Sequence, residues 1–241
     1  MRNWMTTSTG LSKKHLLTLM LKEKERRRRL RRLDDFYPDS GPLARDGYQK
    51  HMAFFASGKS HRERLMLAAN RIGKTEGVGG YEVTLHLTGL YPEWWVGRRF
   101  TSPIRAWAAG DTTQTVRDII QMKLLGPPSD VGTGLIPAVC IADIKNRSGS
   151  VPDAVETITV HHRQGGKSRL VLKSYDQKRK SFQGTEQDVV WLDEEPPLSI
   201  YAECLIRTMT TNGLIICTFT PLSGMSEVVR HFLPHGRLPE S

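Results

Sequence analysis

The residues of this sequence best suited to chemistry are one lysine, one threonine and a run of carboxylates, set far apart in the chain. Lys74 and Thr75 close an eight-residue stretch, Ala68-Ala69-Asn70-Arg71-Ile72-Gly73-Lys74-Thr75. It has the spacing of a phosphate loop, with Ala68 in place of the first glycine. Gly73 lets the backbone bend around an anion, and successive N–H groups with a helix N-terminus then point at it. Lys74 has the length to reach β- and γ-phosphates, and the Thr75 hydroxyl is a ligand for Mg²⁺. The carboxylates Asp193, Glu194 and Glu195 follow the apolar run Val189-Val190-Trp191-Leu192. An acid at that place can hold the same Mg²⁺, and a second can activate water. We assign Asp193 to the metal and Glu194 to the base. Glu195 is the competing base, because neighbouring side chains of an extended segment point opposite ways.

These residues need elements to bring them together. Residues 64–69 read as a buried strand running into the loop, and the stretch beyond it, through His86, reads as helical. Gly77, Gly79 and Gly80 lower helix propensity there. Residues 188–195 read as a strand ending at the acids, and in a parallel sheet the strand C-termini converge on the ligand edge. A third hydrophobic run, from Leu214 to Phe219, ends in hydroxyls and a Pro/Gly turn, so that Thr218 or Thr220 can sense a γ-phosphate. Residues 106–110, 157–162 and 169–174 complete the strands. The last two read as a hairpin about Gln164-Gly165-Gly166-Lys167. The fold class is α/β, a P-loop NTPase of the ASCE/RecA-like kind with a mainly parallel central sheet, preceded by a basic N-terminal helical arm.

Charge separates the arm from the rest. The chain has 241 residues, 35 Lys+Arg and 25 Asp+Glu, a formal net charge of +10. Residues 1–32 hold eleven of the basic residues and two acids, so the remainder is nearly neutral. The arm, residues 1–36, reads as a helix over 12–34 with Ser12 as its cap. It is a contact for phosphates or for a protein partner, or a solvated helix packing its leucines on the domain. Residues 37–47 are turn-rich and read as a linker, and residues 48–241 as the ATPase domain. Globular proportions of hydrophobic (38%) and charged (25%) residues exclude global disorder. No apolar run reaches the roughly 18 residues that span a bilayer, so no membrane role is expected. Cys140, Cys204 and Cys217 form neither a disulfide framework nor a zinc pattern, which fits a reducing cytosol.

Four stretches together resemble the ATPase domain of large terminase subunits of tailed bacteriophages, which pump DNA into preformed capsids. Residues 67–76 resemble the family's variant Walker A, and residues 86–100, with Tyr91-Pro92-Glu93-Trp94-Trp95, the segment after it. Lys180-Ser181-Phe182-Gln183-Gly184-Thr185, leading to residues 190–196, resemble the approach and Walker B. Residues 218–224 resemble the coupling motif. The resemblance implies ATP and Mg²⁺ as cofactors, with Lys74 and Thr75 on phosphate and metal, Asp193 on metal, Glu194 as base, and Thr218 and Thr220 in coupling. It places Arg71 in the phosphate loop, against phosphate or linking hydrolysis to movement. It also places Tyr48 and Gln49 in an adenine-contacting segment. Trp94 and Trp95 read as packing residues. The partners it implies are double-stranded DNA, a portal protein, a small terminase subunit and a homo-oligomeric ring, in the host cytoplasm during capsid assembly. Arg117, Arg147, Arg163 and Arg207 are all open as the arginine finger. The chain ends soon after Gly224, which leaves no room for the nuclease domain of a full large terminase, so no nuclease activity is expected. Two other readings share these residues. One is a catalytically impaired prophage remnant that only binds DNA or a packaging partner. The other is a helicase-like DNA translocase, which needs a second RecA-like lobe.

Overall fold

The computed structural model describes residues 13–69, 72–221 and 224–233. The strands are β1 (Glu63–Leu67), β2 (Arg105–Gly110), β3 (Ile141–Asn146), β4 (Val155–His161), β5 (Lys167–Ser174), β6 (Val189–Asp193) and β7 (Leu214–Phe219). They make one seven-stranded sheet in the order β1-β7-β6-β2-β5-β4-β3. The pairings β1–β7, β7–β6, β6–β2 and β2–β5 are parallel. The hairpin expected about Gln164–Lys167 is present as the antiparallel β4–β5 pair, and β3 extends it. The strand β3 was not expected from the sequence, because its residues are mostly exposed or half-buried and carry little apolar signal.

The central strands β6 and β7 are buried along their whole length. Each reads as a continuous apolar run because both faces of a parallel sheet are covered. One face packs on Val78, Tyr81, Val83, Leu85 and Leu87. The other packs on Ile200, Tyr201 and Cys204 of the helix Leu198–Met209. The expected helical stretch after the phosphate loop is a π-type turn, Lys74–Gly80, leading into the α-helix Tyr81–Thr88. The glycines that weaken helix propensity there are needed for packing. A methyl group on Gly79 would lie 2.1 Å from Nε1 of Trp191 in β6, and one on Gly80 would lie 2.9 Å from Leu135. The loop helix thus runs flush against the strand that carries the carboxylates.

A buried ionic cluster ties this helix to β1. Arg64 Nη2 and Nη1 donate to the two Glu82 oxygens at 2.6 and 3.0 Å, and Nη1 also reaches the Phe54 carbonyl at 2.9 Å. His86 Nε2 lies 3.1 Å from Glu82, and His86 Nδ1 lies 2.8 Å from the Tyr91 hydroxyl. Burial opposes ionisation of Glu82, but the Arg64 charge and the His86 contact outweigh it and hold the carboxyl below its ordinary range. Burial pushes the His86 imidazole down, against the Glu82 contact that raises it.

The arm forms the helix α1 (Lys13–Arg29) and a short 3-10 turn, Arg32–Asp35. Ser12, expected as its cap, lies outside the described residues. Five of its apolar side chains, Leu16, Leu17, Leu19, Met20 and Leu21, are exposed. The reading in which these leucines pack on the domain is therefore not what forms. The stretch 37–47 is not a free linker either. Tyr37 is among the most buried side chains of the core, and Ala44 is buried as well. Turn residues mark where a chain changes direction, not whether it is exposed. Trp95 is buried and Trp94 stacks on Tyr81 with centroids 6.4 Å apart, so both are packing residues as expected.

Candidate active site

The parallel order brings the C-terminal ends of β1, β7 and β6 side by side, and the chemistry-bearing residues meet there. The chain leaves β1 at Leu67 and enters the phosphate loop. Asn70 and Arg71, both assigned to the loop from the sequence, lie outside the described residues. Gly73 turns the loop into the helix with φ of 87°, a conformation that favours glycine. Its carbonyl accepts from the N–H groups of Gly77 at 2.7 Å and Val78 at 3.2 Å, which starts the helix in a wide register.

The Lys74 side chain folds back over the loop. Its ammonium donates to the carbonyls of Ala68 at 2.8 Å and Ala69 at 3.1 Å, and to Thr220 Oγ1 at 2.5 Å. Thr220 also donates to the Ala68 carbonyl at 3.0 Å. Lys74 is only 6% exposed. All three acceptors are neutral oxygens, so a nearly buried positive charge is left for an anion to complete. This fits the phosphates of a nucleotide.

Thr75 and Asp193 form the second half of the site. Thr75 Oγ1 lies 3.1 and 3.2 Å from the two Asp193 oxygens. A hydroxyl and a carboxylate converging at this distance are hard oxygen donors of the kind Mg²⁺ takes, with water and phosphate oxygens filling its other positions. Burial is the main cause that pushes the Asp193 carboxyl up to about 7. The Thr218 and Thr75 hydroxyls and the Lys74 charge draw it down, while Glu194 pushes it up. A bound cation would supply the opposite charge that burial denies it.

Thr218 is placed differently from a phosphate sensor. It is fully buried in β7, donates to Asp193 Oδ1 at 2.7 Å and accepts from Trp191 Nε1 at 2.7 Å. Its hydroxyl orients the Asp193 carboxylate from beneath. Thr220, one pleat further on, is the hydroxyl that touches Lys74. Leu222 and Ser223 of the same motif lie outside the described residues.

Glu194 follows β6 with a positive φ of 65°. A non-glycine residue held there carries backbone strain of a kind that gathers at functional sites. Its N–H donates to the Thr218 carbonyl at 3.1 Å. The Tyr175 hydroxyl lies beneath the turn, 3.1 and 3.0 Å from the Asp193 and Glu194 carbonyls. Partial burial raises the Glu194 carboxyl, Lys74 lowers it and Asp111 raises it. Glu194 is therefore a carboxylate within electrostatic reach of Lys74, with some of its solvation removed.

A cleft of about 790 Å³ opens beside the loop. It is lined by Ala68, Ala69, Ile72 and Gly73 and, from the preceding segment, by Tyr48, Gln49 and His51. The two residues assigned upstream, Tyr48 and Gln49, thus share one cleft with the phosphate loop. Three residues here were missed by sequence reasoning. Tyr175 and Tyr37 carry no motif, and Trp191 is hidden inside an apolar run. Only the glycines opposite Trp191 and Tyr37, at 79 and 77, gave a signal of close approach.

Comparison with known proteins fits this geometry. The family model described as terminase large subunit, T4likevirus-type, N-terminal, matches residues 65–236. The chain belongs to the large terminase subunit family. The terminase large subunit of Salmonella phage P22 is 36% identical over 234 residues, an alignment covering 89% of this chain and 45% of that protein. This terminase chain therefore spans about half the length of that relative. Among solved structures, the large terminase ATPase domain of Thermus phage P74-26 gives a TM-score of 0.53 at 17% identity, covering 76% of this chain and 67% of the other. A large terminase from another thermophilic bacteriophage gives 0.50 at 13% identity, covering 71% and 37%. At these identities the two structures establish the fold, an α/β sheet of the terminase ATPase type.

Proposed function

We propose that this chain is the ATP-hydrolysing motor module of a terminase large subunit, acting in the host cytoplasm to translocate double-stranded DNA into a procapsid. The observation that carries the reading is the convergence of Lys74, Thr75, Asp193 and Thr220 on the C-terminal edge of the sheet. Family membership supports it.

Each residue then has a task. The loop from Ala68 to Thr75, with Asn70 and Arg71 in it, cradles the phosphates of ATP, and Lys74 exchanges its carbonyl and hydroxyl partners for phosphate oxygens. Tyr48 and Gln49 border the cleft on the side where the adenosine part would lie. Thr75 and Asp193 hold Mg²⁺. When bound, the ion neutralises charge that develops on the transferring phosphoryl group. Glu194 takes a proton from water as the water oxygen bonds to the γ-phosphorus, the bond to the β-bridging oxygen breaks and ADP leaves. Thr220 loses its bond to Lys74 when phosphate displaces it, so the start of the turn after β7 reports occupancy. Thr218 contributes to coupling by linking β7 to Asp193. A portal protein, a small terminase subunit and further copies of the chain in a ring are the partners this role calls for.

The test is turnover and binding in single variants. Lys74→Ala is expected to lose ATP binding, and Glu194→Gln to bind ATP with wild-type affinity while hydrolysis falls at least ~100-fold, the range for a lost general base. A Lys74→Ala protein with wild-type turnover overturns the proposal.

A further inference from the structure

The segment ahead of β1 holds two side chains that the catalytic scheme leaves unused, yet both reach the phosphate loop. Tyr37 is 2% exposed, with its ring edge-on to Tyr48, Phe55 and Tyr81. Its φ is 57°, a region that a bulky side chain rarely enters. The surroundings therefore over-determine its position. Its hydroxyl donates to the carbonyl of Gly77, in the helix that follows the loop, at 2.6 Å. The same hydroxyl lies 2.8 Å from Nδ1 of His51, a buried residue of the helix Gln49–Ser57. The His51 ring in turn borders the loop, lining the same cleft as Ile72 and Gly73. The approach is close on both sides. A methyl group on Gly77 would lie 2.9 Å from the Tyr37 hydroxyl, and one on Gly73 would lie 3.6 Å from His51 Cε1. The arm adds a tie to the neighbouring residue, since Arg32 pairs with Glu76.

We propose that Tyr37 and His51 are positioning residues for the phosphate loop, bracing it at Gly73 and bracing the helix that follows it at Gly77, so that it is pre-shaped for nucleotide. The proposal rests on the nucleotide reading given above. The physical reason is entropic. A phosphate cradle needs several N–H groups aimed at one point, and a loop that is loose when empty loses affinity to the cost of ordering it. A brace that makes no contact with the reacting atoms lowers that cost for ATP and ADP alike. Its loss should therefore appear in KM and leave kcat nearly unchanged.

Tyr37→Phe removes only the hydroxyl and keeps the packed ring. We expect KM for ATP and Kd for ADP to rise together by roughly 3- to 10-fold, the net worth of a buried hydrogen bond to the loop helix, with kcat within about two-fold. His51→Leu should move both in the same direction. His51→Asn, whose amide can replace Nδ1, should recover part of the loss. Trp94→Phe, in the same aromatic cluster but without a bond into the loop, should lower thermal stability and leave KM unchanged. Hydrogen exchange of the Gly73–Gly77 amides in the empty protein should quicken in Tyr37→Phe. Tyr37→Phe with wild-type KM and Kd, or with unaltered exchange, overturns the brace while the ATPase reading stands. A wild-type chain that binds neither ATP nor ADP overturns the ATPase reading itself, and this role with it.

Discussion

Replacing Thr218 by valine separates its place under Asp193 from a role as phosphate sensor. Valine matches threonine in shape but lacks the hydroxyl. Two buried bonds are lost at once. The Trp191 indole N–H, 2.7 Å from Thr218 Oγ1, is left without its acceptor, at a cost of about 1–3 kcal/mol. The donation to Asp193 Oδ1, also 2.7 Å, is a bond to an ionisable group worth about 1.5–3 kcal/mol. Taking about 3 kcal/mol for the pair after partial relaxation, a domain of this size should melt roughly 6–12 °C lower. The assay is thermal unfolding of protein free of nucleotide and metal, because a phosphate sensor would contribute nothing in that state. Thr218→Ser keeps the hydroxyl and should melt close to wild type. Asp193, already pushed up to about 7 by burial, loses a bond that draws it down. Its carboxyl should therefore rise further, and Mg²⁺-dependent ATP binding near pH 7 should weaken in the valine variant and not in the serine variant. A valine variant that melts within about 2 °C of wild type refutes the reasoning.

The buried cluster beneath the loop helix gives two further predictions. Glu82→Gln leaves the Arg64 guanidinium buried without its counter-charge and should destabilise the protein by about 3–5 kcal/mol in urea unfolding; a cost below about 1 kcal/mol would show that the pair is dispensable. Burial holds His86 below its ordinary value near 6.5 in the folded protein, so the unfolded chain binds more protons just below that pH and stability is lost as pH falls through it. In His86→Gln the fall in stability from pH 6 to pH 5 should be shallower by up to about 1.4 kcal/mol per pH unit, and an identical slope in both proteins would exclude His86 as the source.

Much of the site was legible because its parts are local. Gly73, Lys74 and Thr75 must be adjacent for backbone amides and side chains to surround one anion. Asp193 and Glu194 had to end a strand to reach the same edge. The strands β2, β6 and β7 were readable for the same reason, since strands covered on both faces give unbroken apolar runs. The half-exposed β3 had no such run and was invisible. The residues 37–47, with their prolines and glycines, looked like a linker, and no local pattern reveals that Tyr37 turns inward.

The sequence alone therefore marked which groups could carry the proposed chemistry, an ammonium, the Thr75 hydroxyl and a pair of carboxylates, and the type of sheet that presents them. It did so because phosphate binding and metal binding impose residue types at short spacings. Only the tertiary structure decided which hydroxyl does what. Thr218 and Thr220 are equivalent as letters, but Thr218 lies inside β7 and bonds Asp193, while Thr220 lies past the end of the strand and meets Lys74. The tertiary structure also decided what holds the loop still. Tyr37, His51, Trp191 and Tyr175 come from four separate segments and reach the site only because packing brings them there. Contacts between distant segments depend on how whole elements stack, and that leaves no periodicity in the chain to read.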